Sequence, residues 1–337
     1  NLGAGNPDGG LFTQQQYDRV TGSAKDLSTP ARGVLEVKAP SEAVDDISAT
    51  EQINKYWNRY KLILVTNLRD WLLIGERDGQ RVNLERFTIA TSEAEFWTLA
   101  SNVQEANAEY GSAFIDFLSR VLRHNAPLAE PKDVAWLLAS YAREARYRVE
   151  RADMLNSQAN KQLGALKNSL EAALGVVFTA EKGAHFFRST LVQTLFYGLF
   201  AAWVLRHEQS ISAKFEWRAA AHDVQVPMMT TLGEQLPQPS KLKALNLTEV
   251  MDWTADALNR VNKEIFFAKF EATRSVQYFY EPFLEAFDAE LRKQLGVWYT
   301  PDEIVRYQVA RVDEALRNTL CLSEGRADPN VVVLNPC

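Results

Sequence analysis

The stretch Val34-Leu35-Glu36-Val37-Lys38 decides how the front of this chain folds. Successive side chains of a β-strand point to opposite faces, so Glu36 and Lys38 share one face while Leu35 and Val37 share the other. The alternation predicts a strand that packs its apolar face and presents an acidic and a basic group together.

Strand and helix signals continue from this stretch to about residue 90. Residues 62–66 and 71–75 are short apolar runs, and the hairpin signal Asp78-Gly79 joins the second run to residues 82–89. Residues 47–60 carry apolar side chains at helical spacing. The order strand, helix, strand, hairpin predicts a small α/β domain with a mixed sheet over residues 1–90.

From about residue 91 to residue 280 the apolar spacing is helical, which predicts a mainly α-helical domain and an α-rich chain overall. Only two prolines, Pro127 and Pro131, interrupt residues 91–226. Three more, Pro227, Pro237 and Pro239, mark a longer loop at 223–246. The candidate helices are 92–106, 108–125, 131–157, 159–174, 184–208 and 247–272.

Residues 281–337 carry the signals of a further α/β unit. Pro282 opens a helix that Gly296 closes, and Thr300-Pro301-Asp302-Glu303 has the pattern of a capping box. The next helix would bury Ile304, Val305, Val309, Val312 and Leu316. The apolar residues 331–334 predict a short strand of the parallel-sheet type, and thus the first helix and strand of a Rossmann-like domain.

Composition bounds the class of protein. The chain has 337 residues, 46% apolar and 24% charged, which fits about two soluble domains. Two cysteines exclude a disulfide framework, and no apolar run is long enough to span a membrane. The start has no signal-peptide pattern, so we expect a cytoplasmic location and no membrane partner. The chain lacks an initiator Met and stops at Cys337, and we expect it to be part of a longer protein.

A candidate metal site centres on the first strand. Mg²⁺ prefers carboxylate oxygens, and a nearby lysine can orient or deprotonate a metal-bound water. Glu36 and Lys38 supply one carboxylate and the lysine, and Asp8 in the run 6–10 is the candidate second carboxylate. Gln52 and Tyr56 share one face of the next helix and could meet the same site.

These residues resemble the core of the PD-(D/E)xK nucleases, and Gln52 with Tyr56 resembles the accessory motif of the RecB-like branch of that family. The stretches PDGGLFT, ARGVLEVKAP, TEQINKYW and LILVTNLRDWLL are similar to the nuclease front of single-chain, type IIG-like restriction-modification enzymes. The resemblance implies that Asp8 and Glu36 hold Mg²⁺, that Lys38 activates water, and that Gln52 positions the site or the DNA backbone.

A second resemblance covers the end of the chain. The run 296–301, which contains Tyr299, Thr300 and Pro301, looks like motif X of adenine-specific DNA methyltransferases. Residues 331–337 resemble the start of their motif I, with Asn335 in place of the usual Asp. The family uses these positions to bind S-adenosylmethionine. The rest of that cofactor site and the Asn/Asp-Pro-Pro-Tyr/Phe motif are absent, so the methyltransferase is incomplete in this chain. Residues 193–200 are also similar to the helical connector of such enzymes.

Together the resemblances predict a nuclease at 1–90, a helical connector at 91–280 and the start of a methyltransferase at 281–337. The expected activities are Mg²⁺-dependent cleavage of double-stranded DNA and, in the complete protein, adenine methylation for phage defence. The alternatives are a methyltransferase with an inactive nuclease-like domain and a non-catalytic helical scaffold. The net charge of −6 leaves room only for a local DNA-binding face. Residues 143–167 carry four arginines, Lys161 and Lys167, and these are more simply explained as a solvated helix face on which Glu144 and Glu150 pair locally. The sequence leaves the oligomeric state open.

Overall fold

The computed structural model describes residues 5–18, 23–24, 29–155, 157–175, 177–209, 213–220, 239–270, 279–289, 292–293 and 300–332. The chain divides into two compact units, Asn1–Asp288 and Ala289–Cys337. Within the first unit there is no division at residue 90, because the sheet and the helices share a core.

The first unit contains a mixed, open sheet of five strands, which confirms the predicted sheet type. The strand order is β1-β4-β5-β6-β7, with β4 and β5 parallel and every other neighbouring pair antiparallel. A separate antiparallel pair is formed by β2 and β3. The strands are β1 (Gly9–Gly10), β2 (Tyr17–Asp18), β3 (Ser23–Ala24), β4 (Val34–Val37), β5 (Ile63–Thr66), β6 (Asp70–Arg77) and β7 (Gln80–Thr88).

The predicted hairpin between β6 and β7 is present. Asp78 and Gly79 form its two-residue loop with φ of 52° and 78°, the left-handed pair that matches the twist of the flanking strands.

Helices make up most of the rest of the first unit. They are α1 (Val44–Ser48), α2 (Glu51–Tyr60), α3 (Glu93–Ser101), α4 (Val103–Ala106), α5 (Ser112–Arg123), α6 (Pro131–Leu155), α7 (Ser157–Leu174), α8 (Ala180–Glu208), α9 (Trp217–Ala220), α10 (Pro239–Ala244), α11 (Thr248–Asn259), α12 (Lys263–Lys269) and α13 (Glu281–Phe287). A π-helical turn, Asn107–Gly111, joins α4 to α5. No helix in the described part of the chain is long and apolar enough to cross a membrane.

Three predicted helices are each split in the structure, and α10 lies in the predicted loop. The expected helix 92–106 becomes α3 and α4 because the Asn102 side chain caps the second, accepting a hydrogen bond from Glu105 N. The expected helix 47–60 becomes α1 and α2 because Thr50 stops the first and caps the second, its side chain accepting a hydrogen bond from Ile53 N. The expected helix 247–272 breaks at Val261 and Asn262. There Val261 pairs with Leu128, and the Asn262 side chain caps α12.

The sheet is covered on both faces. Helices α1 and α2 pack Ile47, Ile53 and Tyr56 against one face of β4, β5 and β6. On the other face, Phe117 and Val121 of α5 join Leu64, Leu73 and Phe87 in a second core. Because α5 lies beyond residue 90, the sheet depends on the helical region to bury this face.

A buried charge network reinforces that packing. Glu85 of β7 accepts hydrogen bonds from Arg120 Nε at 2.8 Å and from Tyr141 OH at 2.7 Å. Arg120 also donates to Ser140 Oγ at 2.9 Å. Burial opposes the Arg120 charge, but the negative charges of Glu85 and Glu144 outweigh it and raise the Arg120 pKa. The network joins the sheet to α5 and α6.

In the second unit, α14 (Asp302–Asn318) begins one residue later than the predicted capping box requires. The cap position falls on Pro301, whose side chain cannot accept a hydrogen bond, so Thr300 is not the cap. The predicted buried face is also wrong within the described part of this unit. Ile304, Val305 and Val312 are exposed, and Val309 and Leu316 are half-buried.

The predicted strand at 331–334 is not seen in Val331 and Val332, which have no regular structure. Residues 333–337 lie outside the described part of the chain.

Candidate active site at the end of β4

The side chain of Glu36 lies on the face of β4 that α2 covers. β4 runs parallel to β5, with Glu36 opposite Val65, and Glu36 is 1% exposed. A carboxylate buried to this degree requires compensating donors or cations, because burial disfavours its charge. The contacts of its two oxygens therefore indicate what the site can hold.

The two carboxylate oxygens of Glu36 differ in their hydrogen bonds. Oε1 accepts from Lys38 Nζ at 2.5 Å and from Gln52 Nε2 at 3.0 Å. Oε2 is buried and has no hydrogen-bond partner. A buried carboxylate oxygen without a partner carries a desolvation cost, which a cation or a hydrogen-bond donor placed against it would offset.

Asp8 reaches the same strand from the sheet edge. It stands just before β1, which pairs with β4 in antiparallel register, Gly9 opposite Leu35. Asp8 Oδ2 accepts a hydrogen bond of 2.7 Å from the backbone N–H of Val37. The pairing of β1 with β4 thus places Asp8 against Val37, next to Glu36 on β4. Of the two predicted metal ligands, Asp8 is exposed and Glu36 is buried.

Helix α2 supplies the remaining polar groups. Gln52 Nε2 donates to Tyr56 OH at 2.9 Å as well as to Glu36. Burial, supported by the charges of Glu36 and Asp8, raises the pKa of Tyr56, so its hydroxyl stays protonated. The hydrogen bond to Glu36 is the main cause that raises the pKa of Lys38. All four sequence-predicted nuclease residues, Asp8, Glu36, Lys38 and Gln52, meet here.

The loop that follows Lys38 is held by residues that lie outside the sequence motifs. Lys38 N donates to Thr66 O at 2.8 Å, Asn67 Nδ2 to Glu42 O at 2.6 Å, and Arg69 Nε to Pro40 O at 2.8 Å. Asn67 is fully buried. A polar turn between two apolar strands, residues 67–70, was the available signal in the sequence. These contacts hold the chain that follows β4 against the turn between β5 and β6.

The donor set fits a magnesium ion. Among the described residues, no group of three or more His, Cys, Asp or Glu side chains could hold a metal. Mg²⁺ is typically bound by one or two carboxylates and keeps several waters or substrate oxygens. Asp8 and the unpartnered oxygen of Glu36 supply such a pair of carboxylates.

The second predicted constellation is only partly within the described residues. Thr300 and Pro301 are exposed, and Tyr299 and Asn335 lie outside the described part of the chain. The expected binding of S-adenosylmethionine by these four residues therefore stays a prediction.

The basic run on α6 consists of paired arginines. Arg143 bonds Asp116, Arg146 bonds Asp288, Arg148 bonds Glu144 and Glu249, and Arg151 bonds Glu109. These ion pairs join α6 to its neighbours, so the run supports the packing of the helices and offers no row of free charges to DNA.

The fold and site thus define an α-rich α/β protein with two carboxylates and a lysine at the end of a sheet strand. No family model, curated protein or solved structure matches the chain.

Proposed function

We propose that the first unit is a Mg²⁺-dependent nuclease that hydrolyses phosphodiester bonds of double-stranded DNA. One observation carries the proposal: Glu36 is buried with one oxygen held by Lys38 and Gln52 and the other unpartnered, beside a second carboxylate at Asp8. A purely structural acidic residue would be expected to satisfy both oxygens within the protein.

Each residue of the site has a separate role in this proposal. Asp8 and Glu36 Oε2 would hold the ion, which supplies charge neutralisation at the phosphate and a more acidic bound water. Lys38 donates hydrogen bonds and places a positive charge beside the attacked phosphate. Gln52 fixes Glu36 Oε1 and leaves Oε2 without a hydrogen-bond partner. Tyr56 keeps the Gln52 amide in place through its hydroxyl.

Nicking of supercoiled plasmid in Mg²⁺ or Mn²⁺ tests the proposal. We expect Lys38→Met and Glu36→Gln to lower the nicking rate by about 100-fold or more, as loss of a group that stabilises developing charge does in other sites. Glu51→Gln and Lys55→Met are matched controls, because this exposed ion pair lies on α2, with Nζ and Oε1 3.0 Å apart, and outside the site. These controls should keep the full rate.

Metal binding gives a second readout that needs no DNA. Calorimetric titration with Mn²⁺ should show a site in the wild-type chain and in Glu51→Gln, and none in Glu36→Gln or Asp8→Asn. A chain that binds the metal but never nicks DNA favours the alternative of an inactive nuclease-like domain. Absence of both binding and nicking favours the non-catalytic scaffold.

For the complete protein we propose adenine-specific DNA methylation with S-adenosylmethionine as the methyl donor. This proposal rests on the motif resemblance of residues 296–301 and 331–337. Incorporation of labelled methyl groups into adenine by the complete protein tests it, and retention of methyl transfer by Lys38→Met would separate the two activities.

A further inference from the structure

A cavity of about 240 Å³ in the first unit is lined by an unusual number of arginines. Arg32 comes from the turn before β4, Arg120 and Arg123 from the end of α5, and Arg260 from the residue after α11. Among the described residues that line the cavity, Asp133 is the only acidic one, and Trp136 forms part of the wall. We refer to this cavity as the arginine pocket.

Three of the four arginines have no carboxylate partner. Arg120 is neutralised by Glu85, but Arg32, Arg123 and Arg260 form no ion pair with any described residue. Arg123 lies over the Trp136 ring, 4.3 Å from its centroid, and Arg260 donates to the backbone oxygen of His124. The buried Nε of Arg260 has no hydrogen-bond partner.

The contrast with α6 makes this arrangement informative. There, each of the four arginines from 143 to 151 is matched by an acidic side chain of a neighbouring element or turn. In the arginine pocket, cations from three separate segments converge without such matching, and their repulsion would be relieved by an anion.

One wall of the pocket, which carries Arg260, is fixed by backbone contacts. Leu128 and Val261 form a backbone bridge, Asn262 N donates to Leu128 O at 2.7 Å, and Arg260 is tied to the His124 carbonyl. These bonds fix the α5–α6 loop against the end of α11. Donors that are held in place before a ligand arrives lose less entropy on binding.

We propose that the arginine pocket binds the phosphate end of a small phosphorylated compound. Guanidinium groups match phosphate oxygens in geometry and charge, and the cavity is below the size of a typical pocket for a whole drug-sized ligand, about 300 Å³ or more. An adjoining cavity of about 550 Å³ shares Arg123, Asp133 and Trp136 and is also lined by Lys132, Glu281 and Glu285. The part of the compound without phosphate would extend along Trp136, beside these carboxylates.

The pocket is distinct from the nuclease site. Arg32 precedes β4 and Lys38 follows it, and the four residues of β4 alone separate them by about 13 Å. The pocket is a cavity lined by four chain segments, whereas contacts to a DNA backbone typically form a stripe along one face. The proposal therefore does not depend on nuclease activity.

Calorimetric titration with pyrophosphate, AMP and adenosine tests it. We expect pyrophosphate and AMP to bind one site and adenosine to bind none. Arg32→Gln and Arg123→Gln should each weaken binding by about tenfold or more, since a charge-assisted hydrogen bond is lost. Arg59→Gln is the matched control, because Arg59 is exposed and lies over the Tyr60 ring, outside any arginine cluster. Arg59→Gln and Lys55→Met should bind as the wild type does.

Three results would overturn the proposal. One is the absence of saturable pyrophosphate or AMP binding tighter than about 1 mM. Another is equal weakening by Arg59→Gln. The third is a duplex oligonucleotide that loses affinity in Arg32→Gln while neither small phosphate compound binds, which would assign the arginines to DNA contact. Equal melting temperatures of the variants without ligand show that each is folded.

Discussion

Replacing Glu85 by Gln should destabilise the first unit more than any surface substitution. The Glu85 and Arg120 side chains are 4% and 1% exposed, and the change leaves the Arg120 guanidinium buried without its carboxylate. Removal of one partner from a buried pair costs about 3–5 kcal/mol, because the remaining charge is desolvated and uncompensated. The free energy of unfolding, measured by urea titration with tryptophan fluorescence and circular dichroism, should fall by that amount.

Two further variants separate this explanation from a general loss of packing. In Glu85→Gln/Arg120→Met both charges are removed, and we expect most of the lost stability to return. Glu51→Gln removes an exposed ion-pair partner and should change stability by less than about 1 kcal/mol. A Glu85→Gln protein within about 1 kcal/mol of the wild type would refute the reasoning, as would a double variant less stable than the single one.

Other parts of the chain give sharp expectations too. Burial and the charge of Arg260 lower the pKa of His124 to about 3, so on acidification the unfolded chain takes up this proton at a higher pH than the folded chain. The free energy of unfolding should therefore fall as the pH drops from about 6.5 towards 3, by up to about 1.4 kcal/mol per pH unit. His124→Asn should flatten that slope in urea titrations. Gly79→Ala should destabilise the protein by about 1–2 kcal/mol because φ at Gly79 is +78°, whereas Gly164→Ala on α7 should stabilise it by about 0.5–1 kcal/mol. No atom lies within 4 Å of either added methyl group, so only the backbone conformation differs between the two sites. Opposite shifts in the melting temperature would check this. Asn262→Ala removes the cap that accepts from Ile265 N and should lower the free energy of unfolding by about 1 kcal/mol, measured in the same way.

Strands β4 to β7 could be predicted because local rules determine them, whereas the two-residue strands β1, β2 and β3 could not. Alternation placed Glu36 and Lys38 together, and Asp78-Gly79 specified the hairpin loop with its two positive φ angles. The break between α11 and α12 could not be predicted in this way. It depends on Val261 pairing with Leu128, which is distant in sequence and gives no periodic signal. The exposed face of α14 shows the same limit, since helical spacing of apolar residues does not say what covers them.

More of the candidate site than of the surrounding fold could be predicted from the sequence. The strand face paired Glu36 with Lys38, while Asp8 and Gln52 were added as candidates whose roles came from the family resemblance. In the structure Gln52 and Lys38 bond Glu36, and Asp8 bonds the adjacent Val37 N–H. The unequal treatment of the two Glu36 oxygens depends on side-chain geometry and was not visible. The unpaired arginines were not visible either, because Arg32 and Arg260 are far apart in the sequence and neither belongs to a charge run.

The core shared by the sheet and α5 has a consequence for exchanging parts of this protein. A cut at residue 90 would uncover Leu64, Leu73 and Phe87, which Phe117 and Val121 of α5 otherwise bury. A transplantable front segment would therefore extend at least through Arg123 and would still need a substitute for Tyr141 to satisfy Glu85. Any recombination of this front segment, in nature or in the laboratory, would be expected to preserve this helix with its sheet.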